Sequence, residues 1–163
     1  MAIKDILLLG NPLLYKKSER VEKDELNQLL PQINLMYETI LDFRNKYGSG
    51  RAIAAPQIGL LKRIICLNID QPLALINPAL SELSPEKFEI WDDCMSFPNL
   101  LVKVIRHKKL VLSFHDINWN KQTWILEDDM AELIQHEYDH LDGILATQRA
   151  IDNKSFRWKI FNL

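Results

Sequence analysis

His136, Glu137 and His140 form an H-E-x-x-H pattern inside the nine-residue run Gln135, His136, Glu137, Tyr138, Asp139, His140, Leu141, Asp142, Gly143. On a helix of about 3.6 residues per turn, positions four apart stand one above the other on the same face. The two imidazoles can therefore bind one metal ion, with the Glu137 carboxylate beside them. A metal so held acidifies a bound water, and Glu137 is placed to take and return its proton. A lone histidine on such a helix is more often a core or surface polar group, but the complete unit is far more specific. A catalytic site of this type needs a third protein ligand and keeps one position open. The chain has two cysteines. Cys66 lies in the apolar run 63–68 and reads as a small buried hydrophobe. Cys94 follows the acidic, turn-like pair Asp92 and Asp93 and is the better ligand.

Those side chains need a rigid helix to carry them. Glu127, Asp128 and Asp129 place negative charge at its expected start, where the helix dipole favours it. Met130, Ile134, Tyr138 and Leu141 recur at helical spacing, and Gly143 suits a left-handed residue at its end. A second amphipathic helix is predicted between about Glu25 and Tyr47, with a late start or a kink at Pro31. Strand-like runs follow at Arg63–Asn68, Ala74–Ile76, Lys87–Ile90, Leu101–His107, Lys109–Asp116 and Gln122–Leu126, with a turn at Asn118–Lys121. Phe156, Trp158 and Phe161 are expected to pack a C-terminal element against the body. The order of helix, strands and motif helix predicts an α+β fold, with antiparallel strands packed around the central metal-binding helix.

Three segments, taken in order, resemble the peptide deformylase family. Its motifs commonly read G-x-G-L-A-A-P-Q, E-G-C-L-S and Q-H-E-x-D-H-L-x-G. The chain has Gly50, Arg51, Ala52, Ile53, Ala54, Ala55, Pro56, Gln57, then Asp92, Asp93, Cys94, Met95, Ser96, then 135–143 intact. Ile6 and Leu7, then Gly10, Asn11 and Pro12, and later Leu75, Ile76, Asn77 and Pro78, extend the match. The resemblance implies that Cys94, His136 and His140 hold one divalent metal ion and that Glu137 is the general acid/base. It implies further that Gln57 and the backbone N–H of Met95 stabilise the oxyanion. Iron(II) is the metal it favours, with zinc, nickel or cobalt also suited to the donors. The implied reaction is removal of the N-formyl group from the N-terminal methionine of nascent peptides. N-formylated nascent peptides are then the implied partner, with the ribosome a further candidate.

The resemblance implies that Ala52, Ile53 and Asp93 line the substrate path, and the departures from the pattern fall in the same two segments. Ala52 stands at the family's second glycine, Asp93 at the glycine before the cysteine, and Asp92 at the usual glutamate. Ala52 adds one methyl group, whereas Asp93 adds bulk and charge that either turn to solvent or crowd the peptide. Arg106 is positioned to pair with Asp92 or Asp93, or to remain a solvated surface residue. These changes keep alternatives open. They are a deformylase-like amidohydrolase acting on another small N-acyl compound, or a metal-binding relative with little activity. A general H-E-x-x-H metalloprotease fits less well, because of the short chain and the upstream cysteine.

At 163 residues, 47% hydrophobic and 26% charged, the chain reads as one soluble catalytic domain spanning 1–163. A formal net charge of −2 gives no electrostatic footprint for nucleic acid or a membrane surface. No run suggests a signal peptide or a membrane span, and two cysteines in unlike settings do not suggest a disulfide. The cytoplasm is the expected location.

Overall fold

A computed structural model of the chain describes residues 5–159. Its main elements in chain order are α1 (Leu26–Tyr47), β1 (Ala52–Ala54), β2 (Ile64–Asn68), β3 (Pro72–Ser81), β4 (Lys87–Asp92), β5 (Leu100–His107), β6 (Lys109–His115), β7 (Lys121–Glu127), α2 (Asp128–Leu141) and β8 (Phe156–Trp158). One sheet has the order β1-β2-β3-β6-β7, the other β4-β5-β8, and every strand pair is antiparallel.

The two helices lie on opposite faces of the larger sheet. Ile33, Met36, Ile40 and Phe43 of α1 pack with Ile53, Ile64, Cys66 and Ile76. Ala131, Ile134 and Leu141 of α2 pack with Ala54, Ile65, Leu67, Leu75 and Leu112. Strand β2 is thus covered on both sides, which is why its sequence is a continuous apolar run without polar alternation. In β6, by contrast, Leu110, Leu112 and Phe114 are buried at every second position, the pattern of a strand with one face covered. Cys66 is fully buried beside Met36, as expected of a small core hydrophobe.

The structure departs from the sequence expectations in four places. Helix α1 begins at Leu26 and continues through Pro31, so the proline does not delay its start. Strand β4 extends to Asp92, which puts that residue in the sheet and not in the acidic turn. Strands β1 and β8 were not foreseen, because each is only three residues long. Trp158 and Phe156 sit on β8 at 67% and 40% exposure, so they do not form the expected core packing. Phe161 lies outside the described residues.

Much of the nine-residue motif serves to place α2. The Gln135 carboxamide accepts the His107 N–H at 2.9 Å and donates to the His107 carbonyl at 2.8 Å, which fastens the helix to the end of β5. The Leu141 carbonyl accepts from the Ser18 N–H and from Arg63. Gly143 follows the helix at φ +73°, and a Cβ there would lie 2.5 Å from the Tyr15 carbonyl oxygen. Both the left-handed backbone and the contact demand glycine. Gly143→Ala is expected to lower stability by roughly 2–5 kcal/mol, from backbone strain plus overpacking. A urea unfolding midpoint within error of the parent protein would contradict this.

Candidate active site

The loop after β4 delivers Cys94, and the buried face of α2 delivers His136 and His140. Their ligand atoms all lie within 4.8 Å of one another, and all three residues are buried. Cys94 Sγ is 3.3 Å from His140 Nε2. His136 turns its Nδ1 to Asp92 Oδ2 at 2.8 Å, which fixes the ring and leaves Nε2 for the shared centre. Burial by itself lowers the His136 pKa, but the Asp92 carboxylate and Cys94 together hold it well above its ordinary value. Burial and neighbouring His136 hold His140 well below its ordinary value, in the neutral form that ligates. One sulfur and two imidazole nitrogens converging in this way suit a tetrahedral site for zinc, iron(II) or a similar divalent ion.

Glu137 borders the same cavity of about 490 Å³, together with Cys94 and His136. Its Oε2 is buried and meets no hydrogen-bonding partner among the described residues. Burial pushes its carboxyl up to about 7, with neighbouring His136 pulling the other way. An isolated, proton-affine carboxylate beside a ligand cluster is what a proton-transfer group requires.

Gln57 sits on the 3-10 turn Ala55–Ile58 that follows β1, and it is almost fully buried. Its Oε1 accepts the Ala54 N–H at 2.9 Å, which orients the amide nitrogen toward Ser96 Oγ at 3.1 Å and Cys94 Sγ at 3.5 Å. The Met95 N–H makes no hydrogen bond among the described residues, and Met95 lines the cavity. Ala52 and Asp93 line it too. Ile53 does not, because its side chain is fully buried against α1 and β2. Asp93 turns outward: its carboxylate meets Lys159 Nζ at 3.3 Å, and that ammonium also reaches Ser49 Oγ at 3.2 Å. A bridge from Lys159, the residue after β8, to the cavity rim thus pairs the charge that stands at the family's glycine.

Sequence reasoning left two groups of residues unassigned. The first is a buried chain of ion pairs behind the site. Arg106 donates to Asp92 Oδ2 at 2.9 Å and to Asp139 Oδ2 at 2.7 Å, and Arg149 holds Asp139 from the protein surface. Arg106 therefore pairs with Asp92, not Asp93. Burial opposes ionisation of Asp92, yet His136 and Arg106 keep its pKa below the usual carboxylate value. Asp139 stood inside the motif, but its sequence position gave no partner. The second group is Arg51, Asp129 and Glu132 on the cavity wall, where Arg51 pairs with both carboxylates.

A family model described as Polypeptide deformylase matches residues 3–156. The chain is 36% identical over 152 residues to a peptide deformylase of Dictyoglomus thermophilum, covering 92% of this chain and 94% of that one. It is 37% identical over 157 residues to one from Finegoldia magna, covering 93% and 92%. The structure of a peptide deformylase from Thermotoga maritima superposes with a TM-score of 0.82 at 31% identity, covering 90% of this chain and 97% of that one. A peptide deformylase from Synechococcus elongatus, solved in complex with actinonin, gives 0.80 at 30% identity, covering 91% and 79%.

Proposed function

The chain belongs to the polypeptide deformylase family, and on that premise we propose that Cys94, His136 and His140 hold its metal ion while Glu137 moves the protons of hydrolysis. The protein is a hydrolase that removes the N-formyl group from nascent peptides. The observation that supports the residue roles best is the buried sulfur–imidazole–imidazole cluster with the unpartnered Glu137 oxygen beside it.

When bound, the ion supplies Lewis acidity toward the formyl carbonyl and toward water. Glu137 accepts a proton as the water oxygen bonds to the formyl carbon. It then delivers that proton to the peptide nitrogen as the C–N bond breaks, releasing formate and a free amino terminus. The Gln57 amide and the Met95 N–H bind the carbonyl oxygen as it gains negative charge. Such preorganised donors are worth on the order of 3 kcal/mol each in rate. Asp92 keeps His136 in the ligating tautomer, and Arg106 keeps Asp92 in place. Ala52 and Asp93 flank the path of the peptide.

Iron(II) is the proposed resident ion, with zinc, nickel and cobalt suited to the same donors. The residues form one catalytic domain, acting in the cytoplasm where nascent chains leave the ribosome. No helix among the described residues is long and apolar enough to cross a membrane. The test is the steady-state rate on formyl-Met-Ala-Ser, measured without oxygen in protein loaded separately with iron(II), nickel or zinc. A metal-dependent rate is expected. No rate with any ion, in protein shown to be loaded, would move the reading to another N-acyl substrate.

A further inference from the structure

A second open cavity, of about 430 Å³, lies against a different face of α2, between that helix, the end of β3 and the paired strands β4 and β5. No residue lines both this cavity and the one bordered by Cys94 and Glu137. Small-molecule sites have volumes in this range and combine an apolar lining with a few convergent polar groups. Leu80, Leu83 and Ile105 form the apolar side here, and Leu83 and Ile105 are each nearly half exposed. Covering such surface with a ligand's hydrocarbon is favourable in proportion to the area removed from water.

The charges around the cavity do not cancel. Asp139 accepts from Arg106 at 2.7 Å and from Nε and Nη2 of Arg149 at 2.6 and 2.9 Å. Arg106 also holds Asp92, so the two arginines and these two carboxylates balance. Asp142 is paired with Arg63 at 2.9 Å. Lys87, on β4, is left over: its ammonium meets no carboxylate among the described residues. Glu89, two positions along the same strand, is engaged by Lys103 at 3.4 Å. Two further donors on the lining residues are unused, because Arg149 Nη1 and the Tyr138 hydroxyl have no partner among the described residues.

One unbalanced positive charge with spare donors around it requires a ligand with one negative charge on acceptor oxygens. A cation would be repelled by Lys87, and a doubly charged phosphate would carry a second charge with no counterpart. A carboxylate brings two oxygens with about four acceptor sites, and its bonds to an ammonium and a guanidinium are of the strong, charge-assisted kind. The apolar side requires a hydrocarbon group attached to it.

We propose that this cavity is a binding site for a small monocarboxylate with a branched aliphatic body. Lys87 and Arg149 receive its carboxylate, and Leu80, Leu83 and Ile105 receive its body.

The test is calorimetric titration of the zinc-loaded protein with three probes. They are 4-methylpentanoate, N-acetyl-leucine, in which a similar group forms the carboxyl end of a peptide, and 4-methylpentanamide, the neutral isostere. Amide proton–nitrogen spectra of the same diamagnetic samples locate the probe. At least one acid is expected to saturate the protein, to shift the amides of Leu83, Lys87 and Ile105, and to bind at least tenfold more tightly than the amide. The tighter of the two acids tells whether a free acid or a peptide's carboxyl end is the source the site serves. Lys87→Met, an exposed substitution, is expected to weaken that acid by about tenfold or more, through loss of one charge-assisted bond, while the rate on formyl-Met-Ala-Ser stays unchanged. No saturation by either acid, equal binding of the amide, or an unaltered affinity in Lys87→Met would overturn the proposal. So would shifts confined to Asp93, Cys94 and Met95, which would place the acid at the metal instead.

Discussion

Glu137→Gln is expected to reduce deformylation by at least 100- to 10,000-fold while the protein still binds its metal. The size follows from the proton transfers assigned to Glu137, since general acid/base groups typically contribute that much. The selectivity follows from geometry. The three converging ligand atoms belong to Cys94, His136 and His140, and glutamine at 137 keeps their positions and the volume of the side chain. What disappears is a fully buried carboxylate oxygen beside the cluster that has no hydrogen-bonding partner among the described residues. Metal content by atomic absorption and the steady-state rate, taken on the same preparation, separate the two effects. A variant that retained a tenth of the parent rate would remove Glu137 from the mechanism.

Arg106→Met is expected to cost about 3–5 kcal/mol of stability at neutral pH, the usual penalty for breaking a buried ion pair from one side. The guanidinium is 3% exposed and separates Asp92 from Asp139. Without it Asp139 keeps Arg149, whereas Asp92 is left with His136 alone. Metal affinity should fall as well, by about 10- to 100-fold, because Asp92 orients a ligand.

The pH dependence has a definite sign. With burial opposing, His136 and Arg106 hold Asp92 below its ordinary pKa in the folded protein. Its contribution is therefore present above the unfolded value of about 3.9 and is lost as pH falls through the folded value. In the variant Asp92 takes up a proton more readily, so the deficit is largest near pH 7 and narrows on acidification. Urea midpoints at several pH values measure this. A deficit below about 1 kcal/mol at pH 7 would mean that the buried chain of charges contributes little.

Local spacing and tertiary neighbourhood contributed differently to what could be read. The pair His136 and His140, with Glu137 between them in sequence, depends only on the helical repeat, and α2 carries them as that repeat requires. The long strands were also legible, since β6 alternates and β2 is uniformly apolar. Strands β1 and β8 were not, because three residues carry too little pattern. They exist because β2 and β5 offer unpaired edges. Aromatic residues on β8 misled for the same reason: Phe156 and Trp158 pair by backbone on an edge and remain exposed.

The sequence by itself determined the α+β class and singled out the two candidate histidine ligands, their neighbouring carboxylate, and the cysteine best suited to join them. Periodicity within one helix and the chemistry of residue types are local properties, so a linear text records them. The tertiary structure alone decided that Arg106 serves Asp92, that Asp93 turns to Lys159, and that Arg51 and Glu132 form the wall beside the metal ligands. Each of these pairings joins separate elements, up to 81 residues apart for Arg51 and Glu132. Which charges meet across such distances is fixed by strand register and by where α2 is fastened, and neither is written in the spacing of the residues that meet.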